Sequence, residues 1–361
     1  EVIDVADALG APIVKTLPGK HVVPDDHPLC MGGLGLLGTK PSEEVMEECD
    51  TLLMVGTSYP YGTYLPEPGQ ARVVQIDVDA SRIGLRLPVE AAVTADARVA
   101  LSQLRPMLQS RSDRTFLAKH QRGRDAWLAD MKALQDVNRD PIAPQYLMGC
   151  IDDLADDDAV LTCDSGTIAT WAARHWTIRG GREFYLSGNL ATMAPGLPYA
   201  IAIQLAFPQR QVIAFVGDGG FAMLMAEFLT AVRYQLPIKV IVNNNNAFGQ
   251  ILWEQILLGY PEYAVRHQAP EANFAAWAQA CGAFGAKITR PADLATAVRE
   301  ALAHPGPALI DCDVNPNEPP MPGKIRYEQA KHFVEAFLRG QPHKAATLST
   351  ITRDKFHQLR A

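Results

Sequence analysis

The chain has 361 residues, 48% hydrophobic and 20% charged, which suits a globular protein of two or three domains with a core large enough to need no staples. A formal charge of −7 argues against a nucleic-acid binder, whose footprint would be basic. Six scattered cysteines without C-x-x-C spacing fit a reduced, cytoplasmic chain, and no run approaches 18 consecutive apolar residues.

In chain order, Glu1–Gly10 places apolar residues at helical spacing and stops at a glycine, and Ala11–Lys15 follows as a strand. Without an initiator Met or a basic signal region, this start reads as a helix entered inside a larger protein, with an N-terminal domain expected ahead of it. Ser42–Cys49 opens with a capping serine and early glutamates, and Thr51–Gly56 and Arg72–Asp77 are apolar runs suited to buried parallel strands. Residues 1–110 therefore read as one α/β domain. The charged stretch 111–140 reads as a helical connector. A second α/β domain is expected over 141–322, with strands at Ala159–Cys163, Arg210–Val216, Ile238–Val242 and Ala308–Cys312. Each strand ends in a polar, proline-rich or glycine-rich turn, where open α/β sheets bind ligands. The fold class is α/β, with two doubly wound parallel-sheet domains. Residues 323–361 form a helical tail whose short apolar face (Leu348, Ile351, Phe356, Leu359) could at most lie peripherally on a membrane, and a surface helix is the simpler reading.

Gly217-Asp218-Gly219-Gly220 follows a strand and opens a helix. Its glycines permit close backbone approach, and the free amides of a helix start favour an anion. Asp218 beside a phosphate is unfavourable unless a divalent cation lies between them. Mg²⁺ takes about six oxygens, and a side-chain amide adds one without adding charge. After the next strand comes Asn243-Asn244-Asn245-Asn246, able to supply that amide. Taken singly, the glycine turn is equally an ordinary turn, and the asparagines equally a polar loop. Their spacing brings both to one sheet edge.

GDG followed after 25 to 30 residues by NN resembles the diphosphate-binding signature of thiamine-diphosphate enzymes. Residues 163–176 (CDSGTIATWAARHW), 210–232 and 325–333 (IRYEQAKHF) resemble the branch of pyruvate oxidase and quinone-dependent pyruvate dehydrogenase, lacking its N-terminal domain. GTSYPY (56–61) and QIDVDASRIG (75–84) resemble that branch's flavin-binding middle domain. The resemblance implies thiamine diphosphate, Mg²⁺ and FAD as cofactors. It implies Asp218, Asn245 and the Ala247 carbonyl as metal ligands. Thiamine diphosphate would contact Ala191, Thr192, Met193, Gly217, Asp218, Gly219, Gly220, Asn245 and Gly249. Met193 would hold the cofactor bent, and Gln250 would line the active site where relatives tend to carry an aromatic. The flavin would meet Gly32, Gly33, Leu34, Gly56, Thr57, Ser58, Tyr59, Pro60, Ile76, Asp77, Val78 and Asp79, although Asp77 is as readily a loop aspartate capping a turn. The segment 253–263 reads as a lid or as an ordinary helix and turn.

The activity this resemblance implies is oxidative decarboxylation of pyruvate or a related 2-oxo acid, with electrons passed to a quinone or oxygen by a homo-oligomer, dimer or tetramer. The alternatives are an acetolactate-synthase-type carboligase and a cofactor-binding or assembly module without turnover. The family's activating glutamate has no match here and is expected in the absent domain. His21, His27, His175, His267, His304 and His332 show no zinc-type spacing, and no G-x-S-x-G elbow is present.

Overall fold

The computed structural model describes residues 1–267, 272–325 and 327–358. The chain forms two compact units, Glu1–Leu128 with Pro322–Lys324, and Ala129–Met321 with Ile325–Ala361. A single 19-residue helix, Thr115–Ala133, lies within the charged 111–140 stretch.

In the first unit, the expected opening helix spans Val2–Leu9 and stops at Gly10, whose φ of 62° is the left-handed conformation glycine tolerates. Five parallel strands follow: β1 (Ile13–Lys15), β2 (Cys30–Gly33), β3 (Thr51–Val55), β4 (Arg72–Asp77) and β5 (Ala91–Thr94). They form two sheets, β1-β2 and β3-β4-β5. The sequence pattern shows neither β2 nor β5. β2 is Cys-Met-Gly-Gly, too poor in β-branched residues to signal a strand, and β5 is four exposed residues.

The second unit is built on six parallel strands: β6 (Val160–Cys163), β7 (Glu183–Tyr185), β8 (Val212–Gly217), β9 (Lys239–Asn244), β10 (Phe284–Ile288) and β11 (Ala308–Asp313). Their order is β10-β11-β9-β8-β6-β7. β6, β8, β9 and β11 are buried over nearly every residue, because helices cover both faces of a parallel sheet and leave no reason for alternation. From β6 the chain moves outward to β7, then returns to place β8 on the other side of β6. The strand order therefore reverses between β6 and β8, and such a switch point leaves a crevice at the strands' carboxyl ends. Both units are α/β with parallel sheets, as the sequence pattern implies.

The helix Lys344–Gln358 buries Thr347 and Thr350 and leaves Leu348 exposed. Its docked face is thus at least partly polar. Leu359 lies outside the described residues. No helix among the described residues is long and apolar enough to cross a membrane.

Candidate functional site

Three strands deliver side chains to the switch-point crevice. β6 ends at Asp164, β8 runs into Gly217 and Asp218, and β9 ends in the asparagine run. Asp218 is the first residue of the helix Asp218–Leu224 and is 4% exposed. Burial pushes its carboxyl up to about 7, against the pull of backbone amides that include Gly219 and Ala247. The Ala247 N–H donates to Asp218 Oδ2 at 3.1 Å.

The four asparagines have four different environments. Asn243, 2% exposed, still belongs to β9, and its Oδ1 is buried without a hydrogen-bond partner. Asn244 donates to Asp311 Oδ1 of β11 at 3.0 Å, while its own Oδ1 accepts the Asn246 N–H at 3.2 Å. Asp311, itself fully buried, also accepts from the Phe274 N–H and from Lys287, which fixes the end of β9 against β11. Asn246 turns the chain with φ 53°. Asn245 is the one aimed at Asp218. The outer atom of its amide stands 2.9 Å from the Ala247 carbonyl oxygen and 3.3 Å from Asp218 Oδ1. Presented as nitrogen, that atom donates to both oxygens. Presented as oxygen, it completes a triangle of acceptors with no proton between them, an arrangement that calls for a cation. One carboxylate and two neutral oxygens are a hard-cation donor set.

The glycines beside Asp218 are required by contact. A Cβ on Gly219 would lie 2.6 Å from the Phe248 ring, and one on Gly220 would lie 2.1 Å from Asp164 Oδ2. Amides free of side-chain cover at a helix start are what a diphosphate needs.

Sequence spacing hides two residues of this site. Asp164, 1% exposed, accepts the Gly196 N–H at 2.8 Å and has its other oxygen buried without a hydrogen-bond partner. Burial raises its carboxyl to about 6, against amides of Gly196, Ala194 and Gly217. It thus ties the β8 turn to the loop that carries Met193. The second is His267, whose Nε2 stands 3.6 Å from Asp218 Oδ2 and whose ring meets Phe248 edge-on at 4.7 Å between centroids. Its backbone N–H donates to the Asn246 carbonyl at 3.0 Å, so the loop after β9 and residues 265–267 form one short antiparallel pairing. Burial holds its imidazole below the ordinary histidine value. Neither residue belongs to the glycine turn or the asparagine run, because each reaches Asp218 or its turn through tertiary structure.

Met193 is half-buried and stands between Ala191 (φ 48°) and Ala194 (φ 71°), two non-glycine residues in the left-handed region. Such strain concentrates at ligand clamps. Ala191 and Thr192 are exposed, and the Thr192 carbonyl accepts from the Ser165 N–H after β6. Gly249 begins the helix Gly249–Leu257, and Gln250 on its first turn donates to Glu254 at 2.9 Å. Trp253 is instead buried with Phe333 and Phe337 of the helix Tyr327–Leu338, so the segment 253–263 is a helix followed by a turn packed under that helix.

In the first unit, Gly56–Pro60 and Ile76–Asp79 follow the neighbouring strands β3 and β4. Gln75 of β4 donates to the Thr57 carbonyl and Arg82 to Ser58 Oγ, so the loop after β3 is tied to β4 and to the turn beyond it. Asp77 accepts the Asp79 N–H at 3.0 Å, the turn-capping arrangement. Gly32 and Gly33 end β2, and Leu34 joins Tyr59 in one apolar cluster. The Tyr59 hydroxyl is buried without a hydrogen-bond partner, and burial raises its pKa.

The second unit is therefore an open α/β sheet whose switch point gathers the Asp218 carboxylate, the Asn245 amide and the Ala247 carbonyl beside two glycines at a helix start. This chain belongs to the thiamine pyrophosphate enzyme family: residues 1–104 match the family's central domain and residues 164–312 its C-terminal, thiamine pyrophosphate-binding domain. It is 43% identical over 339 residues to the provisionally named thiamine pyrophosphate-containing protein YdaP of Bacillus subtilis (strain 168), covering 94% of this chain and 58% of that protein. It is 28% identical over 328 residues to the acetolactate synthase isozyme 1 large subunit of Escherichia coli (strain K12), covering 87% and 56%. To pyruvate oxidase of Lactiplantibacillus plantarum it is 27% identical over 358 residues, covering 98% and 59%. The chain spans between 56% and 59% of the length of these three relatives.

Proposed function

We propose that this chain holds the thiamine diphosphate and Mg²⁺ of an enzyme that decarboxylates a 2-oxo acid. The observation that carries this reading is the convergence of Asp218, the Asn245 amide and the Ala247 carbonyl beside Gly219 and Gly220, where a Cβ would not fit. In this reading the first three hold the cation and the two glycine amides hold the diphosphate. Ala191, Thr192, Gly217 and Gly249 line the cofactor, and Met193 on its strained loop sets the cofactor's conformation. Thiamine diphosphate supplies an electron sink for the carbanion left by decarboxylation. The buried Asp164 keeps the Met193 loop and the β8 turn in register, and Gln250 borders the space where the substrate would sit.

Two reactions fit the relatives. In one, Gly32–Leu34, Gly56–Pro60 and Ile76–Asp79 of the first unit would hold FAD, which would supply an electron acceptor on the way to quinone or oxygen. In the other, the product of decarboxylation would be joined to a second 2-oxo acid, as the acetolactate synthase names suggest for those relatives. Anaerobic addition of pyruvate to the flavin-loaded protein separates them. Bleaching of the flavin absorbance is the expected result for the oxidative route. Unbleached flavin with acetolactate formed would establish the carboligase.

The reading extends to a homo-oligomer. The helix Gly196–Ala206 is apolar all round and leaves Tyr199 and Leu205 exposed, and nearby Met223, Leu224 and Leu229 are exposed as well. A helix apolar on every side is normally covered. Sedimentation equilibrium is expected to show a dimer or tetramer, dissociated by a combined Leu205→Glu and Leu229→Glu variant. A monomer at micromolar concentration would end this part of the reading.

A further inference from the structure

His267 reaches the crevice on a segment that is fixed on both sides. Its backbone N–H donates to the Asn246 carbonyl at 3.0 Å and the Phe248 N–H donates to the Val265 carbonyl at 2.8 Å, with Ala247 paired to Arg266 between them. Arg266 is anchored in turn. Its guanidinium donates to both carboxylate oxygens of Glu262, at 2.7 and 2.9 Å, and to Asn317 Oδ1 at 3.2 Å. The imidazole itself lies edge-on to the Phe248 ring. A side chain held this way gives up little freedom when it meets a ligand.

The Nε2 of that ring is buried without a hydrogen-bond partner. Asp218 Oδ2 stands 3.6 Å away, beyond hydrogen-bond length, and already accepts the Ala247 N–H. A Cβ on Gly219 would come within 3.5 Å of Nε2, so the imidazole borders the space this glycine keeps free. Beside a carboxylate oxygen the favourable form of the ring carries its proton on Nε2, and a buried donor without an acceptor is costly unless a ligand completes it. The cation is not that ligand. Nε2 approaches Oδ2, whereas the Asn245 amide approaches Oδ1, which puts the ring outside the triangle of oxygens. Imidazole is also a softer donor than a hard cation selects. An acceptor bound beside Gly219 is what the donor lacks.

We propose that His267 binds the diphosphate of the cofactor, its Nε2–H donating to a phosphate oxygen held beside Gly219. The inference rests on the thiamine diphosphate and Mg²⁺ reading of this site. It adds a ligand that neither the glycine turn nor the asparagine run supplies. A phosphate oxygen turned from the cation still carries charge, and a hydrogen bond to a charged acceptor is about twice as strong as a neutral one. The same N–H, lying beside Oδ2, lowers the repulsion between that carboxylate oxygen and the phosphate.

Calorimetric titration of the complete polypeptide with inorganic pyrophosphate, and separately with thiamine diphosphate, each with Mg²⁺, tests the assignment. His267→Phe removes the donor and keeps an aromatic ring against Phe248, and it should weaken both probes by a similar factor of about 10- to 100-fold. His267→Gln, whose amide nitrogen can take the place of Nε2, should recover most of the loss. Unchanged affinity in His267→Phe would overturn the proposal. So would an equal loss in both variants, which would mean that the ring only props the loop. A changed preference between Mg²⁺ and Mn²⁺ would make the residue a metal ligand and equally overturn it. If the unmodified protein bound neither probe, the thiamine reading would fall and this inference with it, a result distinct from the other three. Should His267→Phe fail to fold, ¹⁵N NMR of the histidines in the unmodified protein decides, with His267→Gln identifying the signal. On addition of Mg²⁺ and pyrophosphate, Nε2 is expected to carry a proton whose exchange with solvent slows. An Nε2 without a proton in the loaded protein would overturn the proposal.

Discussion

Asp218→Ala is expected to weaken retention of thiamine diphosphate with Mg²⁺ by more than about 100-fold, since even partners that merely orient a metal ligand are worth 10- to 100-fold. Asp218 is the only carboxylate in the triangle with Asn245 and Ala247, so its loss leaves two neutral oxygens to hold a divalent cation. Calorimetric titration with cofactor and metal reads the effect directly. The same titration has a pH signature. The metal-free carboxyl ionises only near 7 because it is buried, and a proton and a cation compete for it. Affinity of the unmodified protein should fall as pH drops through 7, approaching about tenfold per unit below it, and Asp218→Ala should lack that slope. Undiminished retention in the variant, or a slope it shares with the unmodified protein, would remove Asp218 from the ligand set.

The second large effect lies away from the site. Arg139, nearly inaccessible, pairs with Glu318 and reaches Asp354 on the C-terminal helix at 2.8 Å. Gln145 and Asn315 also donate to Glu318, and Asn315 donates to Thr350 as well. One cation serves two acids, and burial with repulsion from Asp354 raises the Glu318 carboxyl to about 7 against the pull of Arg139. Removing the cation strands a fully buried carboxyl. Arg139→Ala should therefore cost about 3–5 kcal/mol. It should also release the helix Lys344–Gln358 before the sheet unfolds. Chemical denaturation measures the first effect and limited proteolysis the second. A denaturation midpoint unchanged from the parent would mean the cluster contributes nothing net. Arg139→Lys keeps the charge but cannot fork to both acids, so an intermediate loss is expected.

The parts of this protein legible in its sequence are those set by local chemistry. β3, β4, β6, β8, β9 and β11 announce themselves as apolar runs closed by turn residues, because strands buried on both faces need no polar alternation. The glycine turn and the asparagine run are legible for a related reason. A helical segment and one strand separate them, and right-handed crossovers must return both turns to the same edge. β7, three residues long, and β10, Phe-Gly-Ala-Lys-Ile, could not be read. Their strand state comes from pairing with β6 and β11, which supply hydrogen bonds their own propensities do not predict.

Sequence by itself determined the fold class, the family and the two turns that meet at the candidate cation. Only the tertiary structure separated the asparagines, tying Asn244 to Asp311 across the sheet and leaving Asn245 free to face Asp218. It also brought Asp164 and His267, 103 positions apart in the chain, to the crevice. The reason is the range of the forces. Propensity and periodicity act within a turn or two of chain. Partners for a buried carboxylate are chosen by whichever strand ends the sheet order places side by side.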